Sequence, residues 1–216
     1  SVLASAYDRL GETRLEFGCC DTTFRVHATG VRAASGAAAA RRTAAELEAE
    51  LDAFDPESAV SRLNDRGSVR NSHVARIVRR GLEYAERTGG VFDIRQGRLE
   101  HDLKAYLRGE RGAPPESFDT GSVTVDGDRV ETDRPLDLNG LAKGYIVDRS
   151  ASAISGLGRT GFVSGGGDLS PPTGPVGIES PYGDEPPLKI LDTEWSVATS
   201  GGYRRERARV DHVYEP

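Results

Sequence analysis

The chain contains no methionine, one tryptophan and two cysteines among its 216 residues. The two cysteines, Cys19 and Cys20, are adjacent, which excludes a disulfide framework. Neighbouring side chains on a strand point to opposite faces, so a bond between these two is not expected either. A zinc site would need histidine or carboxylate partners that no sequence spacing around them supplies. At least one of the pair therefore reads as a small buried residue. Lysine is nearly as scarce: Lys104, Lys143 and Lys189 are the only three, and 28 basic residues less these three leaves 25 arginines. No apolar run approaches the roughly 18 residues that a membrane span needs. The opening "SVLASAYDRL" has neither methionine nor a basic-then-apolar segment, so no targeting peptide is expected within it. A net charge of −6 argues against nucleic acid as a partner. An anionic ligand would have to be held by local dipoles, a metal or a few placed cations.

What is present is a globular balance, 37% hydrophobic and 29% charged, with chain enough for one domain or two intimate lobes. "TRLEFGCCDTTFRVHATG" alternates as two strands or one bent strand, with Phe24, Val26 and Ala28 on one side. Ala37 to Phe54 is a helix rich in Ala, Glu and Arg, with Leu47 and Leu51 four apart. In "HVARIVRRGLEYAERTGG", Val74, Ile77, Val78 and Leu82 make a second helical stripe, stopped by Gly89 and Gly90. "SVTVDGDRVET" is a hairpin about Asp126-Gly127. "RPLDLNG" reads as a strand, Tyr145 to Leu157 as a helix facing inward through Ile146, Ser150 and Ala153/Ile154, and "TGFVSGGGDLS" as a strand ending in glycines. "GPVGIES" and the segment from Trp195 onward complete the strands, the last as a hairpin turning at Ser200 to Tyr203. No repeat and no low-complexity linker divides the chain. The expected class is α+β, with mixed or antiparallel sheets and flanking helices.

Several short motifs invite a chemical reading. "GLGRTG", Gly156 to Gly161, formally matches a dinucleotide fingerprint, but that motif works by following a strand and opening a helix. Here a helix precedes and a strand follows, so it reads as a helix cap and turn. "DLNGLAKGYIVDR", Asp137 to Arg149, has the order strand, turn, helix. It fails the Walker spacing, yet Lys143 could set a compact charge on a phosphate; the alternative is an ordinary connection with a solvated lysine. In "SGGGDL", Ser164 to Leu169, the glycines allow close backbone approach and Asp168 could accept from a hydroxyl or orient a base. A glycine-rich bulge explains it equally well. In "TGGVFDIRQG", Phe92 and Asp93 could stack on and hydrogen-bond a heterocycle, or cap a helix. "SVATSGGY" clusters small hydroxyls with glycine, and His212 in "DHVYEP" is either structural or a base.

The order of these motifs carries more than any one of them. "SAVSRLN" at 58–64, "TGGVFD" at 88–93, "DLNGLAKGYIVDR" at 137–149, "GGGDL" at 165–169, "ATSGGY" at 198–203 and "HVYEP" at 212–216 resemble, in sequence and spacing, the ApbE-type flavin transferases. The resemblance runs from about Phe17 to the last residue. It implies a two-lobed single domain over residues 1–216, similar to the T-fold, and an enzyme that is an FAD:protein FMN transferase. Such enzymes use FAD with Mg2+, move FMN onto a threonine of an acceptor protein and release AMP. FAD hydrolysis to FMN and AMP, or flavin binding without catalysis, are the alternatives. Partners would be FAD and the acceptor protein, with neither nucleic acid nor a membrane span; members often act outside the cytoplasm, and the compartment is left open here.

Carried over position by position, the resemblance implies that Ala142 offers its carbonyl to the metal beside Lys143 at the pyrophosphate. Val91, Phe92 and Asp93 would lie against the flavin nucleotide, with Thr199 also at the cofactor. Cys20 falls where a flavin-contacting methionine is usual. His212 and Asp168 would be the catalytic pair. Three departures accompany it: the T-S-G-D-Y pattern reads Thr199-Ser200-Gly201-Gly202-Tyr203, "HVYEP" replaces H-I-I-D-P, and the 216 residues lack a downstream Asp followed four residues on by Thr or Ser. The expectation from the last is a chain that holds no ordered Mg2+ and binds FAD weakly by itself.

Overall fold

In the computed structural model the first alternating segment resolves into a hairpin. Strands β1 (Thr13–Cys19) and β2 (Thr22–Thr29) pair antiparallel from Thr13↔Ala28 to Cys19↔Thr22. Cys20 and Asp21 form the turn, both left-handed with φ of 53° and 54°. Two successive left-handed residues match the twist of the flanking strands, but neither is glycine, so each occupies a region that L-residues enter at a cost. The structure describes residues 11–115, 120–155, 159–180 and 186–200, and the strand pairs 206–207 and 210–211. By contacts the chain divides into two units, Ser1–Glu48 with Lys143–Ser200, and Ala49–Ala142 with Gly201–Pro216.

The first unit is built on an antiparallel five-stranded sheet. Its strands are β1, β2, β6 (Thr160–Gly165), β7 (Asp168–Leu169) and β10 (Val197–Ala198), in that spatial order. Phe24, Val26, Ala28 and Val163 turn one face of it inward. Against them sit Ala37, Ala40, Ala44 and Leu47 of helix α1 (Ala33–Leu51) and Ile146, Val147 and Ile154 of helix α5 (Asn139–Ile154). The 3-4-3 spacing on α1 keeps one stripe of small residues toward the sheet, which lets the backbone approach closely enough for Cys19 Sγ to lie 4.0 Å from the Ala44 carbonyl. A separate hairpin pairs β8 (Val176–Ile178) with β9 (Lys189–Leu191).

The second unit places helices around a three-stranded sheet of order β3-β5-β4. Its strands are β3 (Ser68–Arg70), β4 (Val123–Asp126) and β5 (Arg129–Thr132). The expected Asp126-Gly127 hairpin forms, with Gly127 at φ 54°. Helix α2 (Ala59–Arg66) opens on Ser58, whose side chain accepts from the Ser61 N–H, and closes on left-handed Gly67. Helix α3 (Ser72–Arg87) opens on Asn71, which caps the His73 and Val74 amides and so satisfies donors that a helix start leaves unpaired. Val74, Ile77 and Val78 are buried as the periodicity predicts. Helix α4 (Gly97–Leu107), with Leu99, Leu103 and Tyr106 buried, follows a 3-10 turn at Ile94–Gln96; neither element is expected from the sequence. Strands β11 (Glu206–Arg207) and β12 (Val210–Asp211) form a short antiparallel pair.

One expectation is corrected. "RPLDLNG" is not a strand: Pro135 has no N–H to give, and Leu136 is held instead by the Asn64 side chain. Asn64 Oδ1 accepts from the Leu136 N–H at 2.9 Å and Asn64 Nδ2 donates to its carbonyl at 3.0 Å. With no strand to finish, α5 starts at Asn139, six residues earlier than its periodicity suggests. The hairpin expected to turn at Ser200–Tyr203 falls mostly on residues that are not described. Val197–Ala198 pairs with Asp168–Leu169 as a sheet edge, and Gly201–Tyr203 lie outside the described residues. The helix-then-strand order around "GLGRTG" is as expected, with Gly156–Gly158 themselves outside the described residues.

Candidate functional site

The glycine run of "SGGGDL" divides its work by position. Gly165 closes β6 because Phe24 leaves no room: an added Cβ would lie 2.5 Å from its ring. Gly166 and Gly167 form a two-residue turn between the Gly165↔Asp168 pair, with φ of 55° and 96°. Their carbonyls are then drawn into two contacts. The Gly166 carbonyl accepts from Lys143 Nζ at 2.8 Å. The Gly167 carbonyl accepts from both the amide and the hydroxyl of Thr199, at 3.0 and 3.2 Å. Lys143 Nζ also stands 3.3 Å from Asp168 Oδ2, their side chains 31% and 20% exposed. That exposure leaves an entering anion room to reach the ammonium. Lys143, Asp168 and Thr199, read from three separate motifs, are thus gathered about one turn of the first unit.

An acid that the sequence reading passed over completes this cluster. Asp148 of α5 accepts a hydrogen bond from the Ser196 side chain. Desolvation raises its pKa above the ordinary aspartate value, the nearby Asp168 charge adds to the rise, and the Ser196 bond opposes it. Two carboxylates close enough to sense each other, with one lysine between sheet turn and helix, form a site poised to hold or exchange positive charge. Asp148 is the last acid of "DLNGLAKGYIVDR", five residues beyond Lys143; only the fold reveals that it faces Ser196.

In the second unit, Phe92 and Asp93 are fixed by different means. Gly89 and Gly90, at φ of 64° and 88°, turn the chain out of α3, and the Phe92 amide donates to Thr88 Oγ1 at 3.1 Å. The Phe92 ring meets Tyr84 edge-on, centroids 6.2 Å apart, and would lie 3.1 Å from a Cβ at Gly140. A side chain at Gly140 would therefore displace the ring. Val91 is 88% exposed, which leaves it free to cover a ligand. Ala142 is buried in α5, its amide donating to the Leu138 carbonyl at 2.8 Å.

Asp93 is occupied within the protein. Its Oδ1 accepts from the Arg95 amide and from Arg95 Nε, both at 2.9 Å, and Arg95 Nη2 reaches Oδ2. Burial would raise this carboxyl, but the side-chain and backbone hydrogen bonds from Arg95 outweigh it and hold the group below its ordinary value. A depressed folded pKa contributes stability that is present above the unfolded value near 3.9 and is lost as pH falls through the folded one. Arg95→Ala should therefore cost about 2 kcal/mol at neutral pH, a Tm loss of about 4–8 °C for a chain of this size. The gap from wild type should begin to narrow as pH falls below about 4 and close only below the depressed folded value, where Asp93 is neutral in both proteins. Thermal melts across pH 3 to 7 read this directly, and a gap that stays constant would refute the pairing.

Cys20 departs from its expected geometry. It has left β1 for a left-handed turn, so the strand alternation that would separate the two side chains does not apply. Cys19 Sγ and Cys20 Sγ lie 3.7 Å apart, with no disulfide formed. The carboxylate partner that sequence spacing does not supply is Glu48 of α1, whose Oε1 accepts from the Cys20 amide. His212 lies outside the described residues.

A family model described as ApbE family matches residues 20–216. Comparison with curated proteins found no match. Among solved structures, the ApbE protein from Thermotoga maritima is 25% identical, with a TM-score of 0.76 over 89% of this chain and 71% of that one. The flavin transferase ApbE from Vibrio cholerae is 21% identical, with a TM-score of 0.73 over 93% of this chain and 75% of that one. The apo form of the Pseudomonas stutzeri flavinyl transferase ApbE is 21% identical, with a TM-score of 0.67 over 94% and 74%. These likenesses agree with the α+β class and its antiparallel sheets.

Proposed function

We propose, on the premise that this chain belongs to the ApbE family, that it is a flavin transferase that moves FMN from FAD onto a threonine hydroxyl of an acceptor protein. In this reaction the threonine oxygen forms a bond to the FMN phosphorus, the pyrophosphate P–O bond breaks, AMP leaves and the hydroxyl proton passes to a base. The demand on the protein is to neutralise phosphoryl charge and to receive that proton. The Lys143 cluster meets both demands. Its ammonium, 2.8 Å from the Gly166 carbonyl and 3.3 Å from Asp168, is the observation that carries the reading. A pyrophosphate oxygen would take up its remaining donor capacity. Asp168 is the base in this proposal, with His212 as a second base or as the group that orients the acceptor.

The donors around the turn fit Mg2+. Asp148, Ser196 and Thr199 present carboxylate and hydroxyl oxygens, the hard ligands that this ion takes, and a divalent cation would offset the burial and the neighbouring Asp168 charge that raise Asp148. Asp148 would hold the ion, which when bound polarises the phosphoryl oxygens, while Asp168 stays with Lys143 as the base. The metal role of Ala142, and the flavin contacts of Val91, Phe92, Asp93, Cys20 and Thr199, rest on the resemblance. Of these, Asp93 has its carboxylate already engaged by Arg95.

Incubation with FAD, MgCl2 and an acceptor peptide containing threonine tests the proposal. The expected result is AMP together with a covalently flavinylated acceptor. AMP without labelled acceptor would replace transfer by hydrolysis, and neither product would overturn an enzymatic reading.

A further inference from the structure

The β1–β2 turn gathers three metal-binding side chains of its own. Cys19 Sγ, Cys20 Sγ and a Glu48 carboxylate oxygen all lie within 4.8 Å of one another. We propose that Cys19, Cys20 and Glu48 form a binding site for a thiophilic divalent cation of the zinc class, with two thiolates and one carboxylate as ligands and the remaining position open to solvent.

The geometry is the first support. Two sulfurs bound to zinc at about 2.3 Å across a tetrahedral angle stand about 3.8 Å apart. The thiols here are 3.7 Å apart before any ion enters. That separation exists only because Cys20 is left-handed at φ 53°; an extended Cys20 would send its sulfur to the other face of the hairpin. The turn is costly as written, since glycine or asparagine suits such positions better, and the carboxylate is tied to it through the Cys20 amide. The ligands are thus preorganised from two elements, the hairpin and α1.

Chemistry supplies the second support. Cys19 is buried, Cys20 and Glu48 are half-buried, and an open pocket of about 600 Å³ bordered by Gly18, Asp21, Thr22 and Thr23 gives a path to solvent. Two thiolates beside Glu48 would concentrate three negative charges. A divalent cation reduces that sum to one, as each thiol gives up its proton and forms a metal–sulfur bond. Thiolate ligands select zinc, cadmium or copper(I) over Mg2+, so this site and the oxygen cluster would not compete for one ion. An ion held here would engage the Cys20 sulfur that the resemblance sets at the flavin.

The test uses the reduced 216-residue protein in metal-free buffer, titrated with Cd2+ for spectroscopy and with Zn2+ against a chromophoric chelator. One equivalent should bind, with a sulfur-to-cadmium charge-transfer band and loss of both thiols to a thiol reagent. Cys20→Ser should remove the band and weaken Zn2+ by more than the about 10–100-fold that loss of an outer ligand partner costs. Glu48→Gln should weaken it by about tenfold while keeping the band, and it decides the matter if Cys20→Ser fails to fold. Absence of the band, unchanged Zn2+ affinity in both variants, or a mass two hydrogens short under reducing conditions would each overturn the proposal, the last by showing a disulfide instead.

Discussion

Lys143→Ala should weaken FAD by about 10–150-fold while leaving riboflavin affinity near that of the unaltered protein. A hydrogen bond to a charged group contributes about 1.5–3 kcal/mol, and each 1.4 kcal/mol is about tenfold in Kd. Riboflavin has no phosphate, so it does not use the contact. The local structure is expected to survive, because the lysine is part-exposed and alanine has the higher helix propensity. What changes is the field: Asp168 loses its counter-ion and the Gly166 carbonyl its donor. Lys143→Arg should restore only part of the affinity, since a planar guanidinium cannot occupy the compact position beside the turn carbonyl. The affinity difference between FAD and riboflavin should also shrink as salt is raised. Fluorescence titrations of both ligands measure all of this. Equal losses for FAD and riboflavin would remove Lys143 from the pyrophosphate.

How much of this was legible in sequence depends on the range of the interaction that fixes each residue. The Asp126-Gly127 hairpin and the stripe of α3 are set by local rules, turn geometry and helical period, and both form where they were expected. "RPLDLNG" failed because its backbone is satisfied from 72 residues away by an asparagine side chain, which no periodicity announces. The same asparagine belongs to the "SAVSRLN" motif, so that motif has a structural task in pinning Leu136. The site divides likewise. Lys143, Asp168 and Thr199 carried glycine or rarity as markers. Asp148 and Glu48 carried none, being ordinary acids on helices whose significance is the facing partner, Ser196 in one case and the Cys20 amide in the other. Asp93 was legible as special but not in kind, because its neighbour Arg95 takes both its oxygens.

Asp168→Asn carries the largest expected effect on rate. A general base contributes about 10²–10⁴-fold, so transfer should fall by that order while FAD binding, which depends on the lysine, changes far less. The same substitution should move a second group that a merely structural role would not touch. Asp148 is raised first by desolvation and then by the Asp168 charge; with that charge removed, its titration should shift down toward the ordinary aspartate value. Carboxyl NMR across the acid range reports the shift without any substrate. The stability consequence has a definite sign. A carboxyl raised in the folded state binds its proton there more readily than in the unfolded chain, so stability falls as pH rises through the folded value. Asp148→Asn should therefore raise Tm at neutral pH, and the gain should vanish below about 3.9, where the acid is protonated in both states. That places a destabilising acid beside the proposed base, an arrangement maintained at a cost in stability and suited to cation binding. If Asp168→Asn leaves both the transfer rate and the Asp148 titration unchanged, the two acids do not act together, and the base must be sought at His212.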